Sequence, residues 1–242
     1  MIEALSEVAT RRADEVERQL RAVGTPERAE HEKRYLKSDL EHVGATVPQV
    51  RREAKGLAKE VSSHAELVAL VEALWAQPVH ERRACAAFLL HARADLLGPE
   101  DVPLLERLVR DSRTWALVDV LAGDVLGKLL VRQPEATPGV DAWARDEDFW
   151  VRRAALLSQR QPLKSGAPFE RFAGYADAML DEREFFIRKA IGWVLRETSK
   201  RRPDEVYEWL HPRAQRASGV TLREATKYLT PEQREVLLAA RA

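Results

Sequence analysis

Residues 148–155 read DFWVRRAA and residues 184–191 read EFFIRKAI, and this repeated pattern decides the fold. Each copy runs acid, aromatic, aromatic, aliphatic, base, base, alanine, and the second begins 36 residues after the first. Further upstream, the RRA at 82–84 precedes the RRA at 152–154 by 70 residues, or two steps of 35. A period of this size is typical of helical hairpins that bury their apolar faces on their neighbours. The tetratricopeptide pattern of fixed small and aromatic residues is missing, so the repeat is predicted to be HEAT-like.

The rest of the chain also has the composition of helices. Ala, Leu, Glu and Arg dominate, and β-branched residues rarely alternate with polar ones. Ser112 and Thr230 are predicted to cap helices. The pattern predicts helices over residues 2–22, 27–40, 48–61, 64–76, 79–92, 101–110, 114–131, 135–145, 148–160, 168–180, 183–199, 203–210, 220–228 and 231–240. We therefore expect an all-α fold: a HEAT-like helical-repeat solenoid of antiparallel helix pairs with a concave surface. It would form a single domain over residues 1–242, with an N-terminal helix over 1–25.

Composition excludes several classes of protein. Hydrophobic residues make up 45% of the 242 positions and charged residues 32%, which is typical of a folded globular chain and not of a disordered one. The richest apolar stretch, residues 65–76, is interrupted by Glu66 and Glu72, so we expect no membrane span. Residues 1–12 lack the features of a signal peptide, which predicts a cytoplasmic protein. The lone Cys85 closes no intrachain disulfide and is interpreted as a small buried hydrophobe, with a nucleophile as the alternative.

The charge balance gives no indication of a nucleic-acid partner, because 39 basic residues face 39 acidic ones. A DNA-binding face would need the two signs to be segregated on the surface. Each repeat places two adjacent basic residues early in the second helix of a pair. Stacked helices of this kind would line the concave surface with regularly spaced positive charges. Duplex DNA fits such a surface. The alternative is that these side chains are solvated or cover apolar surface.

No motif for a metal or an organic cofactor is present. The six histidines show no HExxH or other paired-ligand spacing, and there is no pair of cysteines, so we expect no metal. The chain also lacks a G-x-S-x-G elbow and a dinucleotide-binding fingerprint, so we expect no cofactor.

Trp115 and Asp119 stand four residues apart, which makes their side chains neighbours on one face of a helix. Taken alone, such a pair is more often a packing residue beside a surface acid. Another stretch changes this interpretation. The run EFFIRKAIGWVLRE at 184–197 resembles the most distinctive signature of the AlkD family of DNA alkylation-repair glycosylases.

Three further stretches share this resemblance, which covers about residues 30 to 210. WVRRAA at 150–155 resembles the preceding repeat of the family, and residues 115–119 match its W-x-x-x-D motif. RYLK at 34–37, followed by Gly44, Pro48 and Arg51, resembles its N-terminal pattern.

The resemblance implies a monofunctional DNA glycosylase that hydrolyses the N-glycosidic bond of cationic N3- or N7-alkylated purines in duplex DNA, without base flipping. The catalytic aspartate of the family falls on Asp119, and its two active-site tryptophans fall on Trp115 and Trp193. The residues expected to bind DNA are Arg153, which falls on the phosphate-contacting arginine, together with Tyr35, Lys37, Arg188, Lys189 and Arg196. The partner would be double-stranded DNA containing alkylated purines. We expect a monomer that is associated with a bacterial-type nucleoid.

Two alternatives stay open. Thr114 and Ala116 flank Trp115 where the family often has an acid or an aromatic residue, and Thr46 replaces a longer polar or basic one. These smaller side chains would suit a specialised glycosylase for bulky alkyl adducts, which could protect a producer of a DNA-alkylating metabolite. The other alternative is a HEAT-like scaffold that binds DNA or protein without catalysis. The presence of Trp115, Asp119 and Trp193 together argues against it.

Overall fold

Helices make up nearly all of the regular structure in residues 2–240, the part of the chain that the computed structural model describes. The α-helices are α1 (Ile2–Val23), α2 (Pro26–Leu36), α3 (Val47–Glu60), α4 (His64–Trp75), α5 (His80–Ala92), α6 (Val102–Ser112), α7 (Trp115–Asp119), α8 (Gly127–Arg132), α9 (Pro138–Asp141), α10 (Phe149–Ser158), α11 (Arg160–Lys164), α12 (Glu170–Met179), α13 (Phe185–Ser199), α14 (Pro203–Leu210), α15 (Gly219–Ala225) and α16 (Pro231–Ala239). Short 3₁₀ turns join several of them. Extended pairing within these residues is limited to one bridge between Glu41 and Val79. The prediction of an all-α fold is confirmed.

Several helix ends follow from local side-chain chemistry. Thr46 and Thr230 each accept the N–H of a glutamine three residues ahead, and the glutamine side chain binds back to the N-cap backbone. The predicted cap at Thr230 is therefore confirmed. The predicted cap at Ser112 is wrong, because its hydroxyl donates to the carbonyl of Leu108 inside α6. Thr114 takes the N-cap position of α7 instead, without a capping hydrogen bond from its side chain.

Several predicted helices differ from the observed ones. The helix predicted over 148–160 ends at Ser158 and is followed by α11, which was not predicted, and the helix predicted over 220–228 ends at Ala225. The helix predicted over 27–40 ends at Leu36, because Lys37 adopts a left-handed conformation with φ of 49° and its N–H binds the carbonyl of Arg34. The stretch predicted over 114–131 is divided into α7, a π-helical segment at Val120–Leu126, and α8. The stretch predicted over 135–145 consists of α9 with a 3₁₀ turn on each side.

The first compact unit, Met1–Leu121, has its core between α1, α3, α4 and α5. Helix α1 packs on α4, α4 packs on α5, and α3 packs on α5. Leucines such as Leu20, Leu67, Leu74 and Leu89 fill this core and are fully buried. Cys85 lies on α5 in the same core, and burial raises the pKa of its thiol to about 12. The interpretation of Cys85 as a buried hydrophobe is confirmed.

The second compact unit, Ala122–Ala242, is organised around α10, α13 and α15. Helix α13 packs on both α10 and α15. Helices α10 and α13 begin with the two copies of the sequence pattern, at 148–155 and 184–191, so the repeat seen in the sequence corresponds to neighbouring helices in space. That the whole chain forms one domain stays a prediction.

Hydrogen bonds and ion pairs link residues about 35 positions apart in both units. In the first unit, the Arg93 guanidinium donates to the Ala58 carbonyl, 35 residues away, and Arg107 pairs with Glu72 at the same spacing. In the second, Lys189 binds Glu224, Arg213 binds Asp177 and Arg216 binds Asp181, at spacings of 35, 36 and 35 residues. These polar bonds therefore join neighbouring repeats at the same period as the sequence pattern.

Gly192 allows α13 and α15 to approach closely. A Cβ atom at residue 192 would lie 2.8 Å from Glu224 Cβ and 3.1 Å from Thr221 Cα and its carbonyl oxygen. Gly192→Ala should therefore force the two helices apart, at a cost of about 1–3 kcal/mol, which exceeds the gain of up to about 1 kcal/mol in helix propensity.

Gly174 on α12 provides the matched control, because a Cβ there would meet no atom within 4 Å. In urea unfolding, Gly192→Ala should lower the midpoint and Gly174→Ala should raise it. A shift in the same direction for both variants would contradict this account of Gly192.

Among the described helices, none is both long enough and apolar enough to cross a membrane.

Candidate functional site

Trp115 and Asp119 are the first and last residues of α7 and lie one helical turn apart, as predicted. Leu117 and Val118, between them, are buried in the core. Because this face of the short helix packs inward, Trp115 and Asp119 are left half-buried and reachable from solvent. The chain enters α7 through Arg113, which adopts a left-handed conformation with φ of 46°, and an extended Thr114.

The backbone widens into a π-helical segment, Val120–Leu126, directly after Asp119. π-Helical segments are rare in proteins, but those that occur are often found at functional sites, where the wider turn changes the direction of neighbouring side chains. Nothing in the sequence indicated this change, since the hydrophobic pattern reads as one helix through the segment.

The structure brings Tyr35 to Trp115. Their ring centroids lie 5.9 Å apart with an interplanar angle of 86°, an edge-to-face contact. The Tyr35 side chain is 66% exposed, and the exposed Lys37 follows it at the left-handed end of α2. Two motifs that are 80 residues apart in the sequence, at 35 and 115, therefore meet in the first unit.

Trp193 is half-buried on α13, in the second unit. The guanidinium carbon of Arg160, from α11, lies 4.2 Å from the centroid of its ring. One face of this indole therefore already carries a cation. Arg160 could not be predicted from the sequence, because no motif or spacing distinguishes it from other arginines.

Basic residues of the two repeat copies bind a carboxylate and backbone carbonyls within the protein. Arg152 pairs with Glu182 at 2.8 Å, and Arg188 donates to the Glu182 carbonyl at 2.7 Å. Arg153 is only 3% exposed, and it donates to the Phe186 carbonyl at 2.5 Å.

Glu224, on α15, gathers three basic side chains. Its carboxylate binds Lys189 Nζ at 2.6 Å and Lys227 Nζ at 3.0 Å, and also pairs with Arg196. Burial raises the pKa of Glu224, but its bonds to Lys189 and Lys227 and the charges of Arg196 and Lys189 outweigh burial and hold the pKa at about 2. Glu224 was also missed, because an acid near the end of a helical sequence has no distinguishing pattern.

The predicted site residues thus fall into two groups. Tyr35, Lys37, Trp115 and Asp119 belong to the first unit, where the aromatic pair is in contact. Those in the second unit are Arg153, Arg188, Lys189, Trp193 and Arg196. That both groups serve one site stays a prediction. The side chains that could hold a metal ion within the described residues lie elsewhere, at Glu32, His42 and Glu81.

Comparisons with known proteins identify the family. A model of the DNA alkylation repair enzyme family matches residues 16–229. A solved structure described as a predicted DNA alkylation repair enzyme from Enterococcus faecalis is 28% identical, with a TM-score of 0.77, and the match covers 86% of this chain and 97% of that one. AlkD2 from Streptococcus mutans is 20% identical with a TM-score of 0.59, over 81% of this chain and 98% of that one, a similarity that shows the helical-repeat fold alone. A search of curated proteins found no match. Because the family model spans most of its length, this chain belongs to the DNA alkylation repair enzyme family.

Proposed function

We propose that the protein is a DNA glycosylase that hydrolyses the N-glycosidic bond of cationic N3- or N7-alkylated purines in duplex DNA, without base flipping. The observation that carries this proposal is the placement of Trp115 and Asp119 on one turn of α7, both partly exposed, with the exposed ring of Tyr35 in contact with Trp115. A carboxylate one helical turn from an aromatic ring, in a chain of this repair family, suits a positively charged substrate.

The leaving group explains why no general acid is needed. A purine alkylated at N3 or N7 carries a formal positive charge, so it departs as a neutral base. The sugar instead gains oxocarbenium character as the bond breaks. An enzyme for this reaction must therefore stabilise positive charge on the sugar and supply a water molecule.

Asp119 is proposed to do both. Its carboxylate would place negative charge where positive charge develops, and it would orient the attacking water. Two unit charges about 4 Å apart interact by roughly 4 kcal/mol at an effective dielectric constant of about 20. This energy is comparable to the increase in activation free energy, about 3–4 kcal/mol, that follows removal of one electrostatic stabiliser from other enzymes.

The two tryptophans are proposed to contact the cationic nucleotide through their electron-rich faces, each contact contributing about 0.5–2 kcal/mol. Because Arg160 lies over one face of Trp193, the nucleotide would have to use the opposite face or displace the guanidinium.

The DNA backbone is proposed to bind Tyr35, Lys37, Arg153, Arg188, Lys189 and Arg196. Lys37 is exposed, and Lys189 keeps 42% of its side chain exposed while it binds Glu224. Arg153 is buried, so a phosphate would have to approach it closely or draw its guanidinium outward. We therefore expect the exposed lysines to contribute more of the salt-dependent affinity than Arg153 does.

The decisive experiment measures release of 7-methylguanine from methylated duplex DNA by the wild-type protein. A duplex containing uracil serves as the control, because uracil is a neutral base whose release would need an acid. We expect release from the methylated duplex and none from the uracil duplex. Tight binding to alkylated DNA without release of any base would overturn the proposal and favour a non-catalytic scaffold.

Tyr35→Ala tests the DNA contact separately from catalysis. Because the side chain is mostly exposed, we expect the free energy of unfolding to change by less than about 0.5 kcal/mol. Loss of the ring and of its contact with Trp115 should weaken binding to alkylated duplex DNA by about 1 kcal/mol, or roughly fivefold in Kd.

Tyr228→Ala is the matched control, since Tyr228 has a similar exposure of 52% but lies outside the proposed site. Fluorescence anisotropy with a labelled duplex would measure both variants. Equal affinities for the two would remove Tyr35 from the DNA-contacting set.

A further inference from the structure

Three potential metal ligands meet in the first unit, apart from the proposed catalytic residues. Glu32 lies on α2, His42 lies between α2 and α3, and Glu81 lies in the first turn of α5. One ligand atom from each residue lies within 4.8 Å of the other two. The spacing of 10 and 39 residues along the chain matches no metal-binding motif, so the sequence predicts no metal here, and that prediction remains untested.

The His42 imidazole has unmet bonding capacity. Its side chain is only 9% exposed, and neither ring nitrogen has a hydrogen-bond partner in the described part of the chain. Stacking on the His80 ring, with centroids 4.5 Å apart and planes 9° from parallel, fixes the position of the ring. Burying polar nitrogens without a partner is costly, and such groups commonly bind an ion or an ordered water molecule.

The Glu81 carboxylate is held in place beside this ring. The residue is 1% exposed, and it accepts the backbone N–H groups of Val43 at 3.0 Å and Gly44 at 2.6 Å. These bonds fix the carboxylate, but they bring no positive charge to it. A buried carboxylate of this kind is stabilised by a nearby cation.

Glu32 completes the cluster from the more accessible side. It forms an ion pair with Arg28 one helical turn away, and 39% of the Arg28 side chain is exposed. The Glu32 side chain is only 19% exposed, so an ion bound there would replace Arg28 as the partner of a partly buried carboxylate.

We propose that Glu32, His42 and Glu81 bind one Zn²⁺ ion. Zinc binds nitrogen and carboxylate oxygen at about 2.0–2.2 Å, which places neighbouring ligand atoms roughly 3.4 Å apart in a tetrahedral site. The ligand atoms lie within 4.8 Å of one another, so their separations would shorten by up to about 1.4 Å, chiefly through movement of Glu32 because His42 and Glu81 are held in place. A water molecule would be the fourth ligand.

The charge and the ligand types favour zinc over magnesium or calcium. Two carboxylates balance the charge of a divalent cation, and imidazole suits zinc, whereas magnesium and calcium prefer oxygen ligands alone. The ion would link α2, the segment before α3, and α5, so its role is structural. The proposal does not rest on the glycosylase function.

The test is a titration of the full-length, chelator-treated protein with ZnCl₂ in an isothermal calorimeter. We expect saturable binding of one Zn²⁺ per chain and a higher melting temperature in the presence of zinc, because the ion binds the folded state. Glu32→Gln should weaken this binding by more than the roughly 10–100-fold that loss of an outer-shell partner causes.

Glu30→Gln is the matched control. Glu30 lies on the same helix and pairs with Arg34 four residues away, as Glu32 pairs with Arg28, but it is not part of the cluster. The Glu30–Arg34 pair is the more exposed of the two, so each variant is compared with its own metal-free melting temperature. Glu30→Gln should bind zinc as the wild type does. The proposal is overturned if the wild type shows no saturable binding, or if the two variants bind zinc equally.

Discussion

Replacing Asp119 with asparagine is expected to slow release of 7-methylguanine from duplex DNA by about 100- to 1000-fold. Asparagine has the same shape but no charge, so it cannot stabilise an oxocarbenium-like sugar. The measurement is single-turnover release from a methylated duplex, with enzyme in excess, so that product release does not limit the rate.

Two controls make this result specific. Asp111→Asn applies the same substitution to an exposed acid on α6, and it should leave the rate unchanged. Affinity for the alkylated duplex should change little in Asp119→Asn, because the lost interaction develops with the transition state. Release at the wild-type rate by Asp119→Asn would disprove the proposed role of this carboxylate.

Glu224→Gln is expected to lower the free energy of unfolding at pH 7 by about 2–3 kcal/mol. The difference between the folded pKa of about 2 and the ordinary value of 4.5 corresponds to about 3.5 kcal/mol, at about 1.4 kcal/mol per pH unit. The expected loss is smaller, because the side chains of the three cations are 24%, 42% and 48% exposed and solvent screens their charges. The physical cause is the set of three cations, Lys189, Arg196 and Lys227, that surround a mostly buried carboxylate. Urea unfolding would measure the difference.

The pH dependence of this effect has a definite sign. The pKa is depressed in the folded state, so the stabilisation is fully present above pH 4.5 and is lost as the pH falls towards 2. The difference in free energy of unfolding between the wild type and Glu224→Gln should therefore be constant from pH 7 to about 5 and become smaller below pH 5. Glu208→Gln, an exposed acid on α14, should show almost no difference at any pH. A difference in free energy of unfolding between the wild type and Glu224→Gln that stays constant down to pH 3 would contradict the depressed pKa of Glu224 as its cause.

Glu224→Gln also separates stability from DNA binding. Two of the cations that Glu224 holds, Lys189 and Arg196, are among the proposed DNA contacts. Removing the carboxylate removes a negative charge beside them, so affinity for duplex DNA should stay the same or increase although the fold is weaker. A large loss of affinity in this variant would show that Glu224 is needed to position these side chains.

The sequence predicted the helices and their repeat well, because both depend on local composition and on a period that recurs. The two copies of the pattern at 148–155 and 184–191 begin α10 and α13, which pack on each other. Helix ends were less predictable. The left-handed end of α2 is formed by Lys37 and not by the glycine from which such an end is usually predicted. The π-helical turn after Asp119 leaves the hydrophobic pattern unchanged.

Side-chain partners were the least predictable feature of the candidate site. The contact of Arg160 with Trp193 depends on how α11 turns back towards α13, which no local pattern specifies. Thr46 has a structural role that the sequence did not indicate. It caps α3 in a reciprocal pair with Gln49. That its small size also alters lesion preference stays a prediction.

The polar bonds between residues about 35 positions apart affect how the ionic strength of an assay should be chosen. Many of them are ion pairs with exposed partners, such as Arg216 with Asp181, and such pairs weaken once the Debye length falls to about 10 Å in 0.1 M salt. Added salt also displaces lysine and arginine from phosphates. Raising the salt concentration would thus loosen adjacent repeats while it releases the duplex, and an affinity-versus-salt slope taken alone would overcount the phosphates bound. Unfolding curves recorded in the same buffers would allow the two contributions to be separated.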